Sequence, residues 1–330
     1  MPTLALIQHA CPPHAPRAQH LDTAEALIRD AAGQGAQIVA TQELFASPYF
    51  PQTHDEAHFD LAEPIPGPTS QRLANLAAEL DITLAASFFE KRAPGLYHNS
   101  TLTLSPTGQP LGLYRKTHIP PDPRFYEKYY FTPGSTPEPH PRTPPTRSST
   151  RAHPITSPQM AQPSVGYAPP NALTTHTPHA QLANLICWDQ WFPEPARLAA
   201  LAGAQLILYP TAIGHFHHPH HSTDPTLGDT NISHIQHDAW HTMIRSHAIA
   251  NGVFVAAINR PGTEHDLKFW GRSFAVAPDG QVLAEASPTD NQALIIDLDF
   301  TQIETQRRGW PFLRDRRPDT YQGLLHRYLN

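Results

Sequence analysis

Along most of this chain, short apolar runs alternate with segments whose apolar positions recur at helical spacing. That alternation is the strongest constraint on the fold. It calls for β-α-β units and a sheet buried on both faces, rather than a helical bundle or an all-β barrel. TLALIQHA (3–10) reads as a strand. Ala24, Leu27, Ile28 and Ala31 follow on one helical face, with Asp22 as the expected N-cap, Glu25 completing a capping box, and Gly33 and Gly35 as the stop. AQIVAT (36–41) is the next strand. Residues 70–80 read as a helix, 81–89 as a strand, and Tyr97–Leu104 with Leu111–Tyr114 as a hairpin. In the second half QLANLI (181–186), AQLILYP (204–210), VFVAAIN (253–259) and ALIIDLD (293–299) read as strands. Helices are expected at 193–203 and 238–252, and a hairpin at 273–286 turning on Pro278-Asp279-Gly280.

Two stretches break this rhythm. The chain carries 37 Pro and 22 His, and much of both sits at about 135–180 and 215–237, the latter opening with HFHHPHH. These read as insertions into a single domain of residues 1–330, with a tail from about 307. The imidazoles of the His run suit zinc, copper or nickel, but a run lacks the fixed geometry and outer shell of a metal site. No metal and no cofactor is therefore expected. A formal charge of −6 gives no electrostatic case for nucleic acid. No apolar run reaches the length of a bilayer span, and Met1 to Ala10 does not read as a secretory signal. Cys11 and Cys187, the two cysteines, form no disulfide framework. A cytoplasmic location is the expectation, with Cys11 as a buried apolar residue.

Three residues stand just past the ends of strands, where open α/β sheets place their chemistry: Glu43, Lys116 and Cys187. A carboxylate, an ammonium and a thiol supply a proton acceptor, an oxyanion partner and a nucleophile for acyl transfer without histidine. Taken singly, each is as well explained by a loop charge, a surface lysine or a structural thiol.

Their surroundings carry more. TQELFASPYF around Glu43, YRKTHIPPDPRFYEKYYFTPG around Lys116 and LICWDQWFPEPAR around Cys187 resemble, in order, the signatures of the nitrilase (carbon–nitrogen hydrolase) superfamily. The likeness continues through YPTAIG, RSHAIANGVFVAAINRPG, GRSF and RDRRPDTY. It implies a four-layer α-β-β-α sandwich and a homodimer or larger assembly. It also implies Glu43 as general base, Lys116 as oxyanion partner, Cys187 as nucleophile and Glu127 as a second glutamate in the site. The substrate is expected to be a small molecule whose carbamoyl C–N bond is cleaved, with Tyr49, Trp188 and Trp191 packing an alkyl chain.

Two other readings compete. A carbamoyl-amino-acid hydrolase or ω-amidase would need an arginine for its substrate's carboxylate, and Arg124 and Arg197 are available. A His-rich metal-handling or scaffold protein on the same fold would not need Glu43, Lys116 and Cys187 intact. A nitrilase proper fits less well, because CWDQ lacks the glutamate usual two residues after the cysteine. The likeness is weakest before Cys187 and after YPTAIG, where the insertions fall.

Overall fold

Leu4 and Leu6 point to one side of the first strand and Ala5 and Ile7 to the other, and all four are fully buried. A strand apolar on both faces needs a layer above it and a layer below. The computed structural model describes residues 1–135, 173–216 and 230–329. The first part supplies β1 (Thr3–Gln8), α1 (Arg17–Gly33), β2 (Ile38–Thr41), α2 (Pro68–Leu80), β3 (Thr83–Ala93), β4 (Leu96–Leu104), β5 (Pro110–Arg115) and α3 (Glu127–Tyr130). The second supplies β6 (Thr175–His176), β7 (Gln181–Asn184), α4 (Pro193–Leu201), β8 (Leu206–Pro210), β9 (Gly214–Phe216) and α5 (Thr230–Asn251). It continues with β10 (Phe254–Ile258), β11 (Pro261–Glu264), β12 (Leu267–Trp270), β13 (Phe274–Val276), β14 (Val282–Glu285), β15 (Gln292–Asp297) and α6 (Thr301–Gly309).

Two six-stranded sheets result, ordered β15-β1-β2-β3-β4-β5 and β14-β13-β10-β8-β7-β6. At the centre of each, three neighbouring strands run parallel: β1, β2 and β3 in one, β7, β8 and β10 in the other. Leu4, Leu6, Ile38, Leu182, Leu206 and Phe254 fill the space between the sheets. Val39 and Leu84 pack outward with Ile28 and Leu76 of α1 and α2, and Ile207 and Val255 outward with Ala199 and Ile244 of α4 and α5. The layers are therefore α-β-β-α, the expected sandwich. A third sheet of β11, β12 and β9 lies beside them.

Several local expectations need correction. Asp22 does not cap α1, which starts at Arg17 after Pro16 without a side-chain cap. Asp22 and Glu25 lie inside the helix and pair with Arg72 of α2. The 135–180 stretch is not loop to its end. Thr175–His176 pairs with β7, and the Thr177 hydroxyl closes the turn on Ala180. The 215–237 stretch is likewise shorter, because β9 reaches Phe216 and α5 begins at Thr230. The HFHHPHH run beyond Phe216 and most of the Pro-rich stretch lie outside the described residues.

Candidate active site

Four carboxyl-terminal strand ends converge. Glu43 follows β2, Lys116 follows β5, Cys187 follows β7, and Ala212 follows β8. Lys116 is anchored through its backbone, donating to the Asn99 carbonyl at 2.8 Å and accepting from the Gly134 amide at 2.8 Å. Its side chain is fully buried. The ammonium donates to Glu43 Oε1 at 2.9 Å and to Glu127 Oε2 at 2.6 Å. Asn99 Nδ2 donates to the same Glu43 oxygen at 2.7 Å, and the Tyr49 hydroxyl donates to Glu127 Oε1 at 2.7 Å. Three of the four carboxylate oxygens are thus held. Glu43 Oε2 is buried with no donor among the described residues, so it is the free acceptor of the described array.

Cys187 opens a short helical turn, Cys187–Trp191, with φ at +42°. A side chain other than glycine is strained there, by about 1–2 kcal/mol. The buried Asp189 carboxylate fixes the turn. It accepts from the Ile186 amide at 2.9 Å, the Tyr114 hydroxyl at 2.8 Å and the His118 amide at 2.9 Å. His118 Nδ1 lies 2.7 Å from the same carboxylate, and its ring stacks on Phe192 at 3.8 Å. Gln190 Oε1 accepts from Trp240 Nε1 at 2.8 Å, tying the turn to α5. The Trp188 N–H starts the turn, where helical geometry leaves amides without an intrahelical acceptor.

The loop carrying Glu43 is clamped from the other sheet. The buried Arg260 guanidinium donates to the carbonyls of Glu43 at 2.6 Å, Leu44 at 3.1 Å and Ser47 at 3.2 Å. It pairs with Glu264 at 2.9 Å, and the other Glu264 oxygen accepts from the Tyr49 amide.

The charges set the protonation states. Burial disfavours the Lys116 ammonium, but Glu127 and Glu43 outweigh it and hold the group above the usual lysine range. Burial pushes the Glu127 carboxyl up to about 7, against the pull of Lys116. Burial and then Glu43 push the Cys187 thiol well above its ordinary value, while Lys116 opposes them. Two carboxylates already face one ammonium, so a resting thiolate would add an uncompensated negative charge. The thiol therefore rests protonated, and chemistry at its sulfur would need that proton removed.

A cleft of about 380 Å³ opens over Cys187 and Glu127. Trp188, Trp191, Trp270, Phe125 and Phe216 wall it. Of the residues expected on the substrate, Trp188 and Trp191 line this cleft and Tyr49 does not. Tyr49 is fully buried behind Glu127 and holds that carboxylate instead. Neither Arg124 nor Arg197 lines it. Arg124 pairs with Asp266 and donates to the Gln52 carbonyl. Asn99, Asp189 and the Arg260–Glu264 pair were not singled out in the sequence. Asp189 lies inside the CWDQ motif and was the most findable; Asn99 has no local signal.

Comparison with known proteins gives the family. The carbon-nitrogen hydrolase family model matches residues 3–308. The N-carbamoylputrescine amidase of Solanum lycopersicum is 37% identical, over 98% of this chain and 94% of its own length. A citrullinase of Francisella tularensis is 34% identical over 94% of each chain. A crystal structure of a carbon-nitrogen hydrolase from Helicobacter pylori G27 superposes with a TM-score of 0.82, at 35% identity and over 99% of both chains. A scaffold protein without activity is thereby set aside: the chain belongs to the carbon–nitrogen hydrolase family and is a hydrolase acting on C–N bonds.

Proposed function

We propose that the protein hydrolyses the carbamoyl C–N bond of N-carbamoylputrescine, giving putrescine, carbon dioxide and ammonia. Cys187 Sγ attacks the ureido carbon while Glu43 Oε2 takes the thiol proton. Lys116 Nζ and the Trp188 N–H stabilise the oxyanion. The protonated Glu43 then hands its proton to the departing nitrogen, and ammonia leaves. The same carboxylate deprotonates a water that hydrolyses the thiocarbamate. The alkylcarbamate so released breaks down to putrescine and carbon dioxide. Every group in these steps belongs to this chain. Glu127 and Tyr49 keep Lys116 oriented.

The observation that carries the substrate class is the charge of the cleft. Among the described lining residues there is no lysine or arginine, while Asp122 and Glu127 are both present. An alkyl chain ending in an ammonium suits aromatic walls and a carboxylate. A substrate ending only in a carboxylate would be desolvated there without a cation partner. That argument disfavours a carbamoyl-amino-acid hydrolase or ω-amidase. Citrulline carries both charges, and the likeness to a citrullinase makes it the second substrate to test. We read the chain as one domain interrupted by two insertions. Its two unpaired cysteines suit the cytoplasm, where the reaction would serve polyamine synthesis.

The test is ammonia release from N-carbamoylputrescine, N-carbamoyl-4-aminobutyrate, citrulline, an α-keto-acid amide and a nitrile. The highest kcat/KM is expected for N-carbamoylputrescine. A higher value for the carboxylate analogue or the keto-acid amide would refute the assignment.

A further inference from the structure

We infer that Asp122 is the specificity-determining carboxylate that pairs with the ammonium end of the substrate. This rests on the carbamoyl-alkylamine reading above and names a residue for it. Asp122 lies on the segment between Lys116 and Glu127 and lines the cleft that Cys187 and Glu127 also line. The two carboxylates of that lining are in different states. Both Glu127 oxygens are engaged, one by Lys116 and one by Tyr49. Among the described residues no side chain pairs with the Asp122 carboxylate. The nearest cation in sequence, Arg124, is committed to Asp266 and the Gln52 carbonyl.

The backbone holds Asp122 in place. Its carbonyl accepts from the Phe125 amide at 2.8 Å, and Arg124 completes the turn at φ +63°. Phe125 joins Trp188, Trp191 and Trp270 on the walls. An ammonium carried along such walls is attracted by the ring faces and needs one anion to offset its desolvation. The other polar lining residues, His215, Ser233 and Gln236, carry no formal negative charge. Among the described lining residues, Asp122 is the anion not already used by Lys116.

The experiment compares three ureas that share the reacting group: N-carbamoylputrescine, its neutral analogue N-butylurea, and the anionic N-carbamoyl-4-aminobutyrate. For Asp122→Asn, the ratio of kcat/KM for N-carbamoylputrescine over N-butylurea is expected to fall by about 10–100-fold, mainly through KM, as for a lost ground-state interaction. Asp122→Glu should retain the ratio to within a few-fold. Asp122→Lys should raise the relative kcat/KM of the anionic urea. Because each readout is a ratio, general damage to the site cancels. A wild-type enzyme that prefers the ammonium while Asp122→Asn keeps the full ratio would overturn this inference alone. A wild-type enzyme that prefers the anion would overturn both it and the substrate assignment.

Discussion

Each functional side chain here is defined by which of its neighbours is charged. Cys187 rests as a thiol because burial disfavours the thiolate and Glu43 adds to that, against the pull of Lys116. Cys187→Ala and Cys187→Ser should abolish ammonia release, by about 10⁴-fold or more. Both should keep the wild-type urea midpoint, since no ion pair is broken; near-normal turnover by Cys187→Ala would end the nucleophile assignment. Lys116→Met should behave differently. It leaves two buried carboxylates without a cation, a loss on the order of 3–5 kcal/mol in addition to the loss of activity. Glu127 gives a pH signature. Its folded-state value of about 7 lies above the ordinary glutamate value of about 4.5. The fold therefore binds this proton more tightly than the unfolded chain does. The stability it contributes is full below about 4.5 and is lost as pH rises through about 7. Activity should run the other way. A protonated Glu127 no longer draws on the Lys116 ammonium, which then pairs with Glu43 alone and is less free to meet a developing oxyanion. An acid limb near pH 7 is expected in kcat/KM, and Glu127→Gln should remove both that limb and the decline in urea midpoint across the window.

Elements place these residues. β1, β2, β3, β8 and β10 were legible because runs such as LALI, IVA and LILY are apolar on both faces, as central parallel strands must be. β11 and β12 were missed. PGTEHDLKFW mixes charges with apolar residues, because Glu264 is buried by Arg260 rather than by apolar packing. The start of α1 was misplaced because Asp22 and Glu25 imitate a capping box while pairing across to α2. In the site, Glu43, Lys116, Glu127 and Cys187 carry flanking motifs, and the structure brings them together. Asn99 has no local signal, while Asp122 and Arg260 lie inside quoted motifs whose pattern does not say what their side chains meet. β6 was hidden in a Pro- and Thr-rich stretch, yet its packing is close. A Cβ added at Gly112 of β5 would lie 2.1 Å from Thr175 Oγ1 and 3.2 Å from Thr175 Cβ. Gly112→Ala should thus cost about 1–3 kcal/mol, and Thr175→Ala should recover part of that loss in the double variant. Purely additive denaturation midpoints would show that the two edges do not touch.

At the scale of the whole molecule, the layers bury their inner faces but leave apolar groups outside. On α4, Leu198 is 49% exposed and Leu201 48%. After α6, Trp310, Phe312, Tyr321, Leu324, Leu325, Tyr328 and Leu329 are all exposed, Leu325 by 91%. The two regions are electrostatically in reach of each other, since Arg316, Tyr321 and Arg307 act on Arg197 of α4. Monomers seldom present this much large apolar surface in one region, and a segment with so few buried side chains gains little by ordering alone. A second copy of the chain is the partner proposed here, because a two-fold axis lets one patch cover itself without a second complementary surface. The tail begins after Gly309, beyond the residues that build the cleft. Ending the chain at Gly309 should therefore remove the association while leaving the catalytic array assembled. Multi-angle light scattering is expected to give at least twice the chain mass for the full-length protein, and a lower assembly state for the truncated one. Leu198→Glu with Leu201→Glu should act in the same direction by placing like charges across the axis. A full-length protein that remains monomeric at micromolar concentration would mean that the exposed residues serve another purpose. If the truncated protein keeps its mass, the contact lies on another face of the sandwich.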